Sequence, residues 1–294
     1  MRVTSQMIYD IIGKSISQRM GRILKTQRSI STGKRVNEPA DDPLAMTRIL
    51  DFRASLASME QYAENIDQGT SWLRTTESSL DDTNQLLGRV KELVLSQTTG
   101  TATPETRETT ANEVEQIFER MIQLANTRLG GRYVFSGFKT DTAPFLSISD
   151  YTYRGDTGSI EVEIARNQKA TINLNGSEVF TGGPVNVFQT LEDVVDHLRT
   201  NDVSGLEGDI GSLDSAIDHI LSKVAEVGAK ANQLESTKDG LADLKLNITE
   251  RLSDLEDTDL AEALAELSLQ ETAYQASLAS AARLMQTNLL DFLR

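Results

Sequence analysis

The sequence predicts a mainly α-helical protein. The expected form is an elongated antiparallel coiled coil or helical bundle, with a small β-rich inserted domain and paired terminal helices. Three observations lead there: two long stretches with apolar residues at alternating spacings of three and four, aromatic residues gathered in one middle segment, and amphipathic ends of opposite charge. Composition agrees. Of 294 residues, 38% are hydrophobic and 5% aromatic, which is too little for a thick globular core and enough for thin helical packing.

The first terminal segment places Ile12, Ile16, Met20, Ile23 and Ile30 on one helix face and stops near Gly33. Asp42-Pro43 then reads as a helix start, with Asp as N-cap and Pro at the first helical position, where its missing N–H costs nothing. From Ile49 the three-four spacing continues to Val94, and ten of its fourteen positions are apolar. Six heptads of that kind form a coiled-coil stripe along a helix from Pro43 to about Ser96. Thr103-Pro104 opens a shorter helix bearing Val114, Ile117, Met121 and Leu124, which Gly130-Gly131 is expected to close.

The middle segment holds eight of the fifteen aromatic residues, between Tyr133 and Phe188. Alternation at Ile160, Val162 and Ile164, and again at Ile172 and Leu174, predicts strands. Gly155-Asp156-Thr157-Gly158 and Asn175-Gly176 read as their turns, with a helix following over 187–199. A second long stripe runs from Leu206 to Leu255, with thirteen of fifteen positions apolar. It breaks at Asp257-Thr258-Asp259, where Asp259 and Glu262 read as a capping-box pair for a last helix over 260–292. Three parts result: 1–42 with 257–294 as a terminal assembly domain, 43–131 with 201–256 as the long-helix domain, and 132–200 as the β-rich insert.

Charge excludes several classes of function. A net charge of −15 argues against a nucleic-acid binder, which needs a dominant basic surface. No run approaches 18 apolar residues, so no membrane span is expected. The N-terminus lacks the apolar stretch of a Sec-type signal. With no cysteine, disulfides and thiol chemistry are excluded. Residues 1–36 carry eight Lys/Arg and one acid, while 250–294 carry nine acids and three arginines. Such helices pair with each other or with copies in neighbouring subunits. A membrane-surface anchor is the competing reading of the basic helix, weakened by the absence of Trp and Phe on its apolar face.

Little in the chain suggests catalysis. His197 lies four residues after Asp193 and His219 follows Asp218, but neither belongs to a three-ligand pattern, so no metal is expected. Asp156-Thr157-Gly158 matches the aspartic-protease triplet, whose chemistry needs two carboxylates sharing a proton. No second copy is present, and turn chemistry explains the first. Arg154-Gly155-Asp156 and the sequons at Asn175 and Asn247 are short coincidental matches.

Ser29-Ile30-Ser31-Thr32-Gly33-Lys34-Arg35-Val36-Asn37, followed by Pro39-Ala40-Asp41-Asp42-Pro43, resembles the N-terminal signature of bacterial flagellins and their hook-associated relatives. Asp259 to Leu293, including Leu267-Ser268-Leu269-Gln270-Glu271-Thr272-Ala273-Tyr274, resembles the matching C-terminal signature. Gly131-Arg132-Tyr133-Val134-Phe135-Ser136-Gly137 resembles a segment of the hook-associated branch. The resemblance covers about 1–140 and 200–294 and leaves the insert largely outside it. It implies a structural, non-enzymatic protein of the flagellum without cofactors, acting at the junction of hook and filament. It also implies an extracellular location after type III export without a cleaved signal peptide. The implied partners are further copies in a ring or helical assembly, neighbouring hook-associated and flagellin-type subunits, and an export chaperone on the C-terminal helix. No nucleic acid and no membrane are among them. Ile12, Ile16, Met20, Ile23, Leu264, Leu267, Tyr274, Leu278, Met285 and Phe292 are the expected assembly interface. Two other readings stay open: a minor flagellin, and a hydrolase centred on Asp156.

Overall fold

Helix starts and stops follow local chemistry through most of the chain. The computed structural model describes residues 5–99 and 102–292; the side chains of 5, 6, 8, 9 and 284–292 lie outside that description. Helix α1 spans Ser5–Thr32 and ends where Gly33 takes φ +71°, the left-handed conformation that closes helices. Helix α2, Pro43–Gln97, begins as expected: the Asp42 carboxylate accepts the Ala45 N–H at 3.0 Å. Helix α3, Pro104–Ala125, opens with a reciprocal cap between Thr103 and Thr106. Helices α4 (Val187–Thr200), α5 (Val203–Glu256) and α6 (Leu260–Phe292) complete the set. Asp259 caps α6 by accepting the N–H groups of Ala261 and Glu262 at 2.8 and 3.2 Å.

Two expectations about turns are corrected. Helix α3 ends at Ala125, so Gly130-Gly131 does not close it. Those glycines form the two-residue turn of a hairpin between β1, Arg128–Leu129, and β2, Arg132–Tyr133. Both have positive φ, +57° and +85°, which matches the twist of a tight hairpin and excludes most side chains. Gly131→Ala is therefore expected to cost about 1 kcal/mol, read as a lowered midpoint of chemical unfolding. Strands β3, Glu161–Ala165, and β4, Gln168–Thr171, pair antiparallel, with Asn167 at φ +62° in the connection. The second strand thus lies before Ile172 and Leu174, which are buried just beyond it. Asn175 makes no hairpin turn; its carboxamide accepts the Glu178 N–H and the Ser177 hydroxyl, opening a π-helical turn over Ser177–Thr181.

The described residues pack as two compact units. One comprises those up to Ser58 with those from Leu244; the other is Met59–Asp243. In the larger unit, every seventh residue of α2 from Ile66 to Val94 is fully buried: Ile66, Leu73, Leu80, Leu87 and Val94. Helix α5 does the same with Leu206, Leu213, Ile220, Val227 and Leu234, none more than 1% exposed. The aromatic insert shares this core. Phe188 of α4 stacks on Phe180 at 5.2 Å and meets Phe145 edge-on at 4.9 Å, while Phe118 of α3 lies 5.7 Å away. The smaller unit has a minor core of Val36, Ala45 and Ile49, with Met46, Leu252 and Leu255 against it.

Candidate assembly surface

Helices α1 and α6 run antiparallel along each other in the smaller unit. Near the chain ends, Ile12, Ile16 and Arg19 face Ala273, Ser277 and Ala281 across a groove. Further along, the Thr26 hydroxyl donates to Gln270 Oε1 at 3.3 Å. The seam on α1 is Ile12, Ile16, Arg19, Ile23, Thr26 and Ile30, all buried or half-buried. On α6 it is Ala263, Leu267, Gln270, Tyr274, Ser277 and Ala281. Both keep the four-three spacing of a coiled coil.

At the opposite end of the pair from the chain termini, the segment after α1 is joined to the segment between α5 and α6. The Arg35 N–H donates to the Glu256 carbonyl at 2.6 Å, and the Thr258 N–H to the Gly33 carbonyl at 3.0 Å. The Glu256 carboxylate, 4% exposed, meets Lys34 and Arg53. Lys25 holds Asp41 at 2.9 Å. That contact, with the N–H groups of Asn37 and Glu38, lowers the Asp41 carboxyl to about 2. The basic residues of α1 and its loop thus find acids in the α1–α2 loop and at the end of α5.

The expected interface residues divide in this arrangement. Ile12, Ile16, Ile23, Leu267 and Tyr274 are already partly or wholly covered within the chain, whereas Met20, Leu264 and Leu278 are exposed at 43, 55 and 42%. Met285 and Phe292 lie outside the described side chains. Sequence reasoning named Leu267 and Tyr274 of the α6 seam but missed Ala263, Gln270 and Ser277 beside them. Their signal was a second four-three series, Ala263-Leu267-Gln270-Tyr274-Ser277-Ala281, offset from the leucine series and lower in hydrophobicity.

A larger pattern also emerged only in three dimensions. Among the described residues, sixteen large apolar side chains are exposed, and twelve belong to the smaller unit. They include Met7, Ile11, Leu24, Leu44, Leu246 and Leu269, the last at 73%. That unit buries only Ile23, Val36, Ala45, Ile49, Ala263 and Ala281 among its hydrophobic residues described. Its apolar material lies mostly outside, as on a surface awaiting protein partners.

The residues considered for chemistry have structural work. Asp156 Oδ1 accepts the N–H groups of Phe138 at 2.7 Å and Gly158 at 2.8 Å, and these hold its carboxyl below the usual range. A carboxylate so stabilised in its ionised form closes a turn and is poorly suited to share a proton. His219 Nε2 lies 3.0 Å from the Glu178 carbonyl. Among the described residues, no cluster of three His, Asp or Glu could hold a metal, and no helix is long and apolar enough to cross a membrane.

His197 Nδ1 lies 2.8 Å from the buried Asp209. The hydrogen bond to Asp209 raises the imidazole above its ordinary value, while burial raises the Asp209 carboxyl. A raised histidine stabilises the fold below its unfolded value near 6.5, and that contribution disappears as pH rises through the folded value. Raised Asp209 acts in the same sense, because its ionised form is the one burial disfavours. Unfolding free energy should therefore decline as pH rises above about 6.5, and His197→Gln should flatten the decline in a denaturant series.

The model for the bacterial flagellin N-terminal helical region matches residues 3–140, and that for the C-terminal helical region matches 210–293. Together they account for three quarters of the sequence, including both helices of the α1–α6 pair. The chain belongs to the flagellin family. Within the family it is 28% identical to flagellar hook-associated protein 3 of Escherichia coli, across 94% of this chain and 95% of that one. Flagellin of Bacillus subtilis is 25% identical, across 92% of each. The same fold occurs in the flagellar junction protein FlgL of Legionella pneumophila, with a TM-score of 0.61 and 18% identity. That match covers 72% of this chain and all of the other. FlgL of Bacillus cereus matches with a TM-score of 0.61 and 24% identity, across 69% of this chain and 99% of the other. This flagellin-family chain is a structural component of the flagellum, and the hook-associated relatives stand ahead of the filament subunits.

Proposed function

We propose that the chain forms the junction between flagellar hook and filament, as a ring or helical layer of identical subunits. The layer contacts hook-associated neighbours on one side and flagellin-type subunits on the other. One observation carries this reading: the smaller unit exposes most of the large apolar side chains and has only a thin core of its own. Neighbouring subunits would cover them, and burial of apolar surface would then supply the free energy of assembly.

The proposal extends to delivery. The chain leaves the cell through the flagellar export apparatus without cleavage and is extracellular when assembled. Before export a chaperone covers the C-terminal helix, where Leu260, Leu264, Leu269 and Leu278 are exposed. The terminal regions 1–42 and 257–294 make the assembly contacts, 43–131 with 201–256 carry them, and 132–200 faces outward.

Deleting the gene tests the reading. Electron microscopy of the cells and a blot of the medium should show bare hooks together with abundant monomeric flagellin. Intact filaments would overturn it in favour of a minor flagellin. Bare hooks with no flagellin in the medium would identify a major filament subunit instead.

A further inference from the structure

The larger unit presents a mounted aromatic knob and, elsewhere on its surface, a groove of matching chemistry. Phe138 is 66% exposed, the most exposed of the large apolar residues in that unit. It is held rigidly. Its N–H donates to Asp156 Oδ1 at 2.7 Å, and the residue before it, Gly137, has φ +66°. The ring lies so close to Gly158 that a Cβ there would meet it at 2.1 Å. Lys139, the next residue, is exposed as well. A rigid aromatic side chain is the kind of group that dominates binding energy at interfaces, because little entropy is lost when it docks.

The groove lies between α3 and α4. Phe118, Ile148 and Val195 contribute its apolar lining, in a space of about 190 Å³; Glu192 and Asp196 are its free acidic groups, because Glu115 is paired with Arg199 at 2.6 Å. It has room for one side chain and not for a helix. A copy cannot fill its own groove. The knob is tied to the C-terminal end of α3, where the Val134 N–H donates to the Thr127 carbonyl and the Phe145 N–H to Asn126. The groove begins at Phe118, eight residues earlier, about 12 Å back along the helix.

We infer that Phe138 of one copy seats in the α3–α4 groove of the next, with Lys139 against Glu192 and Asp196. Knob and groove are different surfaces of one chain, so the contact is head-to-tail, the kind that generates rings or helical layers. Charge complementarity fixes its direction and register. The inference rests on the proposed assembly into a layer of identical subunits.

The absence of native cysteine makes a direct test available. Cells lacking the gene receive two full-length variants together, Lys139→Cys, next to the intact Phe138 ring, and Ser149→Cys, at the edge of the groove. Purified flagella are oxidised mildly with diamide and run without reductant. The expected product is a mixed dimer containing both variants, absent when either is expressed alone. Phe138→Ala in the first variant should reduce that dimer at least tenfold. If both variants are present in the flagella and no mixed dimer forms, the docking inference is overturned while the junction reading stands. Should neither variant be found in flagella that are otherwise complete, the junction reading itself falls.

Discussion

A chain carrying both Leu264→Asp and Leu278→Asp is expected to fold as an isolated monomer and to be missing from the flagellum. The two leucines are exposed at 55 and 42% and sit on one face of α6, about four turns apart. Neither belongs to the seam that pairs α6 with α1, so the isolated chain loses almost nothing; exposed substitutions of this kind usually change stability by under about 0.5 kcal/mol. In an assembly the account reverses. Each leucine buried against a neighbour contributes about 1.5–3 kcal/mol. A buried carboxylate without a partner adds a further cost of several kcal/mol. Association should therefore weaken by well over ~100-fold, at one factor of ten per 1.4 kcal/mol. Blotting purified flagella measures incorporation, and thermal unfolding of the purified variant measures the fold. Normal incorporation would remove these residues from the interface. Leu267→Asp is less discriminating, because Leu267 lies in the α1–α6 seam and its loss would also loosen the monomer.

The sequence showed the long helices plainly because their apolar residues are placed by periodicity alone. Positions 66 to 94 of α2 and 206 to 234 of α5 repeat every seven residues, and each is buried. Helix starts were equally local, since Asp42, Thr103 and Asp259 each cap with their own side chain. The turns were not, because one glycine or asparagine can serve several ends. Gly130-Gly131 suits a helix stop and a hairpin equally, and the pairing of Arg128 with Tyr133 decided between them. The assembly surface was half legible. Helix α6 has two overlapping four-three series, one of leucines and one less hydrophobic, and periodicity favoured the more hydrophobic. In the fold the seam against α1 mixes the small Ala263, Ser277 and Ala281 with Leu267, Gln270 and Tyr274. Leu260, Leu264, Leu269 and Leu278 stay exposed outside it.

Phe188→Ala should produce the largest loss of stability in the larger unit. Phe188 is fully buried and touches four other rings: Phe118, Phe145, Tyr151 and Phe180, with centroids 4.9 to 5.8 Å away. Through Phe118 it joins α4 to α3, and through Phe145 and Phe180 it joins both to the irregular middle segment. Removing the ring takes away its transfer free energy and leaves a cavity that its rigid neighbours can fill only in part. The expected cost is about 4 kcal/mol, with the loss of ring-on-ring contacts included. Phe188→Leu should cost less than half as much, since most of the volume is retained. Denaturant titration of the purified chain distinguishes the two. Equal losses would mean that the site collapses freely around either side chain. In that case the middle segment would be held by its hydrogen bonds, such as Asn126 to Phe145 and Tyr153 to the Phe135 carbonyl, and not by aromatic packing. Unequal losses in the expected ratio would make Phe188 the residue through which the insert and the long helices share one core.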